Sequence, residues 1–102
     1  GNTTLKLIST IENLPQEYSL HQNYPNPFNP TTRINFDVPA PGIVNIKLYN
    51  LLGSEVATLF NGYKEAGYHA ITFDASNLPS GIYFYKMVSD KFVSVRKMVL
   101  TK

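Results

Sequence analysis

Residues 82–89, Ile-Tyr-Phe-Tyr-Lys-Met-Val-Ser, and residues 92–101, Phe-Val-Ser-Val-Arg-Lys-Met-Val-Leu-Thr, decide the fold. Aromatic and β-branched residues dominate both runs, as they do on pleated, half-buried surfaces. The connection Ser89-Asp90-Lys91 is too short for anything but a hairpin. Tyr83 and Tyr85 alternate with Ile82 and Phe84, so the first run predicts a central strand covered on both faces.

The same alternation continues toward the N-terminus. Tyr68–Asp74 sets His69, Ile71 and Phe73 against Tyr68, Ala70 and Thr72. Glu55–Phe60 carries Val56. Ile43–Asn50 places Val44, Ile46 and Leu48 on one face, with Asn45 and Lys47 on the other. Thr31–Val38 aligns Ile34, Phe36 and Val38, and Gln16–Asn23 predicts a further short strand. Turn chemistry separates these runs at Pro39-Ala40-Pro41-Gly42, at Leu51-Leu52-Gly53-Ser54, and at Asn77-Leu78-Pro79-Ser80-Gly81. Asn61-Gly62 and Ala66-Gly67 are expected to bracket a loop. No stretch sustains a helical period for about three turns. The prediction is all-β: an antiparallel β-sandwich, immunoglobulin-like, with about seven strands.

Residues 24–30, Tyr-Pro-Asn-Pro-Phe-Asn-Pro, interrupt the pattern. Each proline fixes φ and removes a donor. The preceding residues Tyr24, Asn26 and Asn29 are pushed out of the helical region, and the run is barred from an interior strand. Tyr24, Pro25, Pro27, Phe28 and Pro30 are therefore expected to form a rigid structural loop, with Tyr24 and Phe28 as its anchors. In residues 1–14, Leu5, Leu7, Ser9 and Ile11 alternate with Lys6, Ile8 and Thr10. That stretch reads as a linker or arm from an upstream domain, able to supply one extra strand; residues 15–102 form the domain. Gly1 in place of an initiator Met reads as a boundary within a longer protein.

A chain of 102 residues, 43% hydrophobic, suffices for one core and excludes a multidomain enzyme. The absence of cysteine excludes disulfides, thiolate metal sites and a thiol nucleophile. His21 and His69 lack metal-ligand spacing. Asp37, Glu55, Glu65 and Asp74 lie singly beside turns, not as a catalytic pair. Calcium, phosphate-loop and nucleophile-elbow motifs are missing. No catalytic residue, cofactor, metal or small-molecule substrate is expected. Phe92, Ser94 and Arg96 are too few for a nucleic-acid surface. Tyr63 and Tyr68 flank one loop and offer at most a small sugar platform. The net charge is +2, yet Lys86, Lys91, Arg96, Lys97 and Lys102 against Asp90 leave an excess of +4 at the C-terminal end.

In order, the chain carries Leu20-His21-Gln22-Asn23-Tyr24-Pro25-Asn26-Pro27-Phe28-Asn29-Pro30, Tyr49-Asn50-Leu51-Leu52-Gly53, Gly81-Ile82-Tyr83, and Arg96-Lys97-Met98-Val99-Leu100-Thr101-Lys102. In this combination it resembles the C-terminal sorting domains, type A, of cargo proteins of the type IX (Por) secretion system of Bacteroidetes. The resemblance covers roughly residues 15–102. It implies a secretion signal, not an enzyme. Such a domain folds in the periplasm and directs an upstream cargo through the outer-membrane translocation machinery. A sortase-like peptidase then removes it, and the cargo is released or held at the cell surface. The family's Gly-x-Tyr motif falls on Gly81 and Tyr83, and its terminal strand on Lys97, Met98, Val99, Leu100 and Lys102. Thr101 departs from the pattern, where a second apolar residue is usual. Gly81 is expected to supply a backbone shape that a Cβ would block. Lys97 and Lys102, with the strand edge beside them, are expected to form the docking face. Two other readings stay open: an assembly module similar to the immunoglobulin-like part of flagellar hook-capping proteins, and a carbohydrate-binding module of a secreted hydrolase.

Overall fold

The computed structural model describes residues 13–102. The alternating stretch read between Leu5 and Ile11 lies outside the described residues. Seven strands follow: β1 (Ser19–Leu20), β2 (Thr31–Val38), β3 (Gly42–Tyr49), β4 (Glu55–Lys64), β5 (Gly67–Asp74), β6 (Gly81–Ser89) and β7 (Phe92–Leu100). They form two antiparallel sheets, ordered β1-β2-β5 and β4-β3-β6-β7. The all-β immunoglobulin-like sandwich read from the sequence is the observed architecture.

Alternation builds the core. Ile34, Phe36 and Val38 of β2 face Val44, Ile46 and Leu48 of β3, with Tyr83, Tyr85 and Met87 of β6 and Met98 and Leu100 of β7. None of these side chains is more than 5% exposed. Three expectations change. β1 is only two residues long, because the segment after it leaves sheet geometry to follow β7. β4 runs straight through Asn61-Gly62, which pair with Asn45 and Val44 of β3. A local turn signal thus yields to a ladder with a neighbouring strand; the register shifts of this pair lie elsewhere, between Ile46 and Lys47 and between Leu48 and Tyr49. β6 is central, between β3 and β7, but it is covered on one face only, since Ile82 is exposed and Phe84 half-buried.

The proline-rich segment closes an edge. β7 borders its sheet, and an unpaired edge is an aggregation template. Phe28 is buried and bridges Leu100: its N–H donates to the Val99 carbonyl (2.9 Å), and its carbonyl accepts from the Thr101 N–H (2.9 Å). Asn26 Oδ1 accepts from the Val99 N–H (2.9 Å), and Gln22 Nε2 donates to the Lys97 carbonyl (2.7 Å). Phe28 is the expected anchor, but Tyr24 is not, because its side chain is 81% exposed. Tyr24 is held by its backbone instead, which exchanges two 2.9 Å hydrogen bonds with Arg33.

The second anchor is Asn23, which is buried and fully engaged in hydrogen bonds. Its N–H donates to the Tyr85 hydroxyl (2.8 Å), and its Nδ2 donates to Thr32 Oγ1 (3.0 Å). The Tyr85 hydroxyl in turn donates to the His21 carbonyl (2.7 Å). Tyr85→Phe strands the buried Asn23 N–H and the part-buried His21 carbonyl and should cost about 1–3 kcal/mol. Burial pushes the Tyr85 phenol above its usual value, opposed in part by the Asn23 N–H and the Arg96 charge. Because the folded pKa exceeds the unfolded one, this stabilisation is complete below about pH 10 and drains as pH rises through the folded value. Urea unfolding at neutral and alkaline pH should therefore show a loss in the parent that Tyr85→Phe lacks.

Candidate functional site

The strand registers give the sandwich two distinct ends. At one, the chain enters: Tyr18 stacks on Phe92 at 5.4 Å, beside the Pro39–Pro41 and Asp90-Lys91 turns. At the other lie the β3–β4 turn, the β5–β6 connection and residues 101–102. This second end gathers Gly81, Tyr83 and Lys102 of the sequence-predicted recognition residues.

The β3–β4 turn is built on Asn50. Its Oδ1 accepts from the N–H groups of Leu52 and Ser54, both at 3.0 Å. The Gly53 N–H donates to the Asn50 carbonyl (3.0 Å), with Gly53 at φ +83°, a conformation that strains any residue with a Cβ. The closed turn leaves Leu51 and Leu52 facing outward, 65% and 90% exposed. Turns normally carry polar residues at such positions. Two adjacent leucines before a glycine were thus a signal in the sequence that charge counting passed over.

The β5–β6 connection is held as firmly. Asp74 Oδ1 accepts from the Ser76 N–H (2.9 Å) and from its hydroxyl, and these bonds hold the Asp74 carboxyl below its ordinary range. The Tyr83 hydroxyl donates to the Pro79 carbonyl (2.6 Å). Gly81 sits at φ +156°, yet a Cβ there would meet nothing within 4 Å. The requirement for glycine is therefore conformational: the expected backbone shape disfavours a Cβ by its φ and not by a clash with a neighbour. Lys102 completes the end, its N–H donating to Ser80 Oγ (3.0 Å) and its Nζ to the Ser76 carbonyl (2.7 Å). A groove of about 210 Å³ runs between Leu51, Leu52, Ser80 and Ile82. A second hollow of about 400 Å³ lies on the other side of Leu51, bounded by Tyr49, Phe84 and Val95.

Gly81, Tyr83 and Lys102 therefore meet at one end. Met98 and Leu100 are core residues, and Val99 is half-buried with its backbone tied to the proline-rich loop. Lys97 is exposed on the outer face of β7, five positions and about 17 Å of strand from Lys102. The two lysines do not form one face. The +4 excess is likewise spread along the hairpin: Lys91 lies at the entry end, and Arg96 Nε donates inward to the Leu20 carbonyl (2.8 Å). Among the described residues, no three His, Asp or Glu side chains stand close enough to hold a metal ion.

Over residues 22–101 the chain matches the family model described as a secretion system C-terminal sorting domain. No curated protein matches it.

Proposed function

The chain belongs to the secretion system C-terminal sorting domain family, and from that premise we propose which surface the type IX machinery reads. The domain is a sorting signal that carries an attached cargo to the cell surface or the medium by type IX secretion. The match favours neither the hook-capping-like nor the carbohydrate-binding-module reading. The family is one of signals, not of enzymes.

The machinery reads the end formed by Leu51, Leu52, Gly81 and Lys102. One observation carries this reading: apolar side chains held in water by a hydrogen-bonded turn, beside the Gly-x-Tyr motif, at the end opposite the chain's entry. Large exposed apolar side chains rimmed by polar groups mark interaction sites. A cargo upstream of residue 15 would join at the Tyr18 end, leaving this end unobstructed. The domain folds in the periplasm before it is read, and a sortase-like peptidase then removes it from the cargo.

The test is a reporter cargo fused upstream of residues 1–102. Leu51→Ser with Leu52→Ser, and separately Lys102→Ala, should lower the yield in the medium several-fold while thermal unfolding of the purified domain stays at parental values. Full secretion by both variants would defeat the assignment of this end.

A further inference from the structure

The outer face of the three-stranded sheet carries a further hollow, remote in chemistry from the leucine end. It has a volume of about 410 Å³ and is bordered by His21, Arg33, Asn35, Asp37, Tyr68 and Ala70. Arg33, Asn35 and Asp37 alternate along β2, so all three project from the same face. Ala70 lies opposite Asn35 in the β2–β5 register, and its small side chain leaves the depression. Tyr68 lies opposite Asp37 and is 66% exposed, so its ring walls one side. We propose that this hollow binds a neutral, hydroxyl-rich ligand, a saccharide.

The polar groups are positioned before any ligand arrives. His21 N–H donates to the Asn35 carbonyl (3.0 Å), which fixes the β1 extension against β2. The His21 ring Nε2 meets Asp37 Oδ2 at 2.9 Å, and the Asp37 side chain is only 15% exposed. Arg33 Nε donates to Asn35 Oδ1 (3.2 Å). Among the described residues, these contacts leave three kinds of group without a protein partner: the terminal guanidinium N–H groups of Arg33, the Asn35 Nδ2, and Asp37 Oδ1. Two are donors and one is an acceptor.

Charge decides the ligand class. Arg33 attracts an anion that Asp37 repels, and Asp37 attracts a cation that Arg33 repels, so the opposed charges give a simple ion of either sign little net gain. A neutral polyol suffers neither repulsion, and each hydroxyl both donates and accepts. The exposed face of Tyr68 supplies apolar area for a sugar ring, with its own hydroxyl left in water. Small-ligand sites combine such a surface with a few convergent polar groups. The set differs from the small Tyr63–Tyr68 platform that the sequence at most allowed, since Tyr68 here works with residues of β2. The inference is independent of the sorting role.

The experiment is a two-dimensional amide NMR titration of the whole chain with glucose, galactose and maltotriose, each raised to about 50 mM, because a shallow site of this kind is expected to bind with a Kd of about 1–10 mM. Shifts should centre on the amides of Arg33, Asn35, Asp37 and Ala70. Tyr68→Ala and Asp37→Asn, each checked for an unchanged spectrum elsewhere, should weaken binding at least about tenfold, or about 1.4 kcal/mol. Absence of saturable shifts with all three sugars overturns the proposal. So do shifts that survive both substitutions, and so does equal binding of sodium phosphate or calcium chloride.

Discussion

Phe28→Ala is expected to destabilise the domain by about 3–5 kcal/mol, in the range of truncated buried aromatics. A domain of this size has roughly 5–15 kcal/mol in total, so the variant should be marginal or largely unfolded. Phe28 does two jobs. Its ring is buried in the common core with Leu100 and Met98, and its backbone pairs with Val99 and Thr101 across the edge of β7. Truncation empties the ring site, and the loop then loses the contact that holds its hydrogen bonds in register. Phe28→Leu keeps most of the volume and should cost much less. Tyr24→Ala, in the same motif, should change stability by no more than about 0.5 kcal/mol, since its side chain stands in water. Urea unfolding measures all three. A shift in midpoint at constant slope for Phe28→Ala, beside an unmoved Tyr24→Ala, is the expected pattern. Equal effects would restore Tyr24 as an anchor and contradict the burial.

That contrast shows where sequence reading stopped. The bounds of β2 were legible to the residue, because its alternation is long and prolines flank it at 30 and 39. The hairpin of β6 and β7 was legible to within one residue at its outer bounds, from its alternation and its short connection. Tyr24 and Phe28 looked equivalent because both are aromatic beside proline. Only Phe28 faces inward, and its partner Leu100 is more than seventy positions away. Asn23 was invisible for a similar cause. A buried asparagine is stable only when partnered, and its partner Tyr85 is 62 positions distant. The extension of β4 through Asn61-Gly62 likewise depends on β3. For the recognition surface, the sequence located the motif residues but not their grouping. Charge sums cannot distinguish the two ends of a hairpin, and so joined lysines that the fold separates.

Deleting residues 97–102 is expected to abolish cooperative folding, which changes what such a deletion says about recognition. The segment removes two lysines, but it also removes Met98 and Leu100, 0% and 1% exposed. Each truncation of such a residue to alanine costs about 2–5 kcal/mol, and deletion removes the strand as well. The backbone partners of Gln22, Asn26 and Phe28 go with it, so the proline-rich loop has nothing to close against. The combined loss reaches the whole stability of a domain this small. A truncated fusion that stays inside the cell therefore reports an unfolded signal as readily as an unread one. Lys97→Ala with Lys102→Ala separates the two. Lys97 is exposed, and Lys102 contributes solvent-exposed hydrogen bonds, so the pair should cost about 1 kcal/mol or less. Calorimetry should show no transition for the truncated domain and a nearly parental one for the double variant. Retained cooperative unfolding after truncation would mean that β7 is dispensable to the core, against its burial. With folding held constant in this way, a secretion defect in the double variant belongs to Lys102 at the leucine end or to Lys97 on the outer face, and the single substitutions assign it.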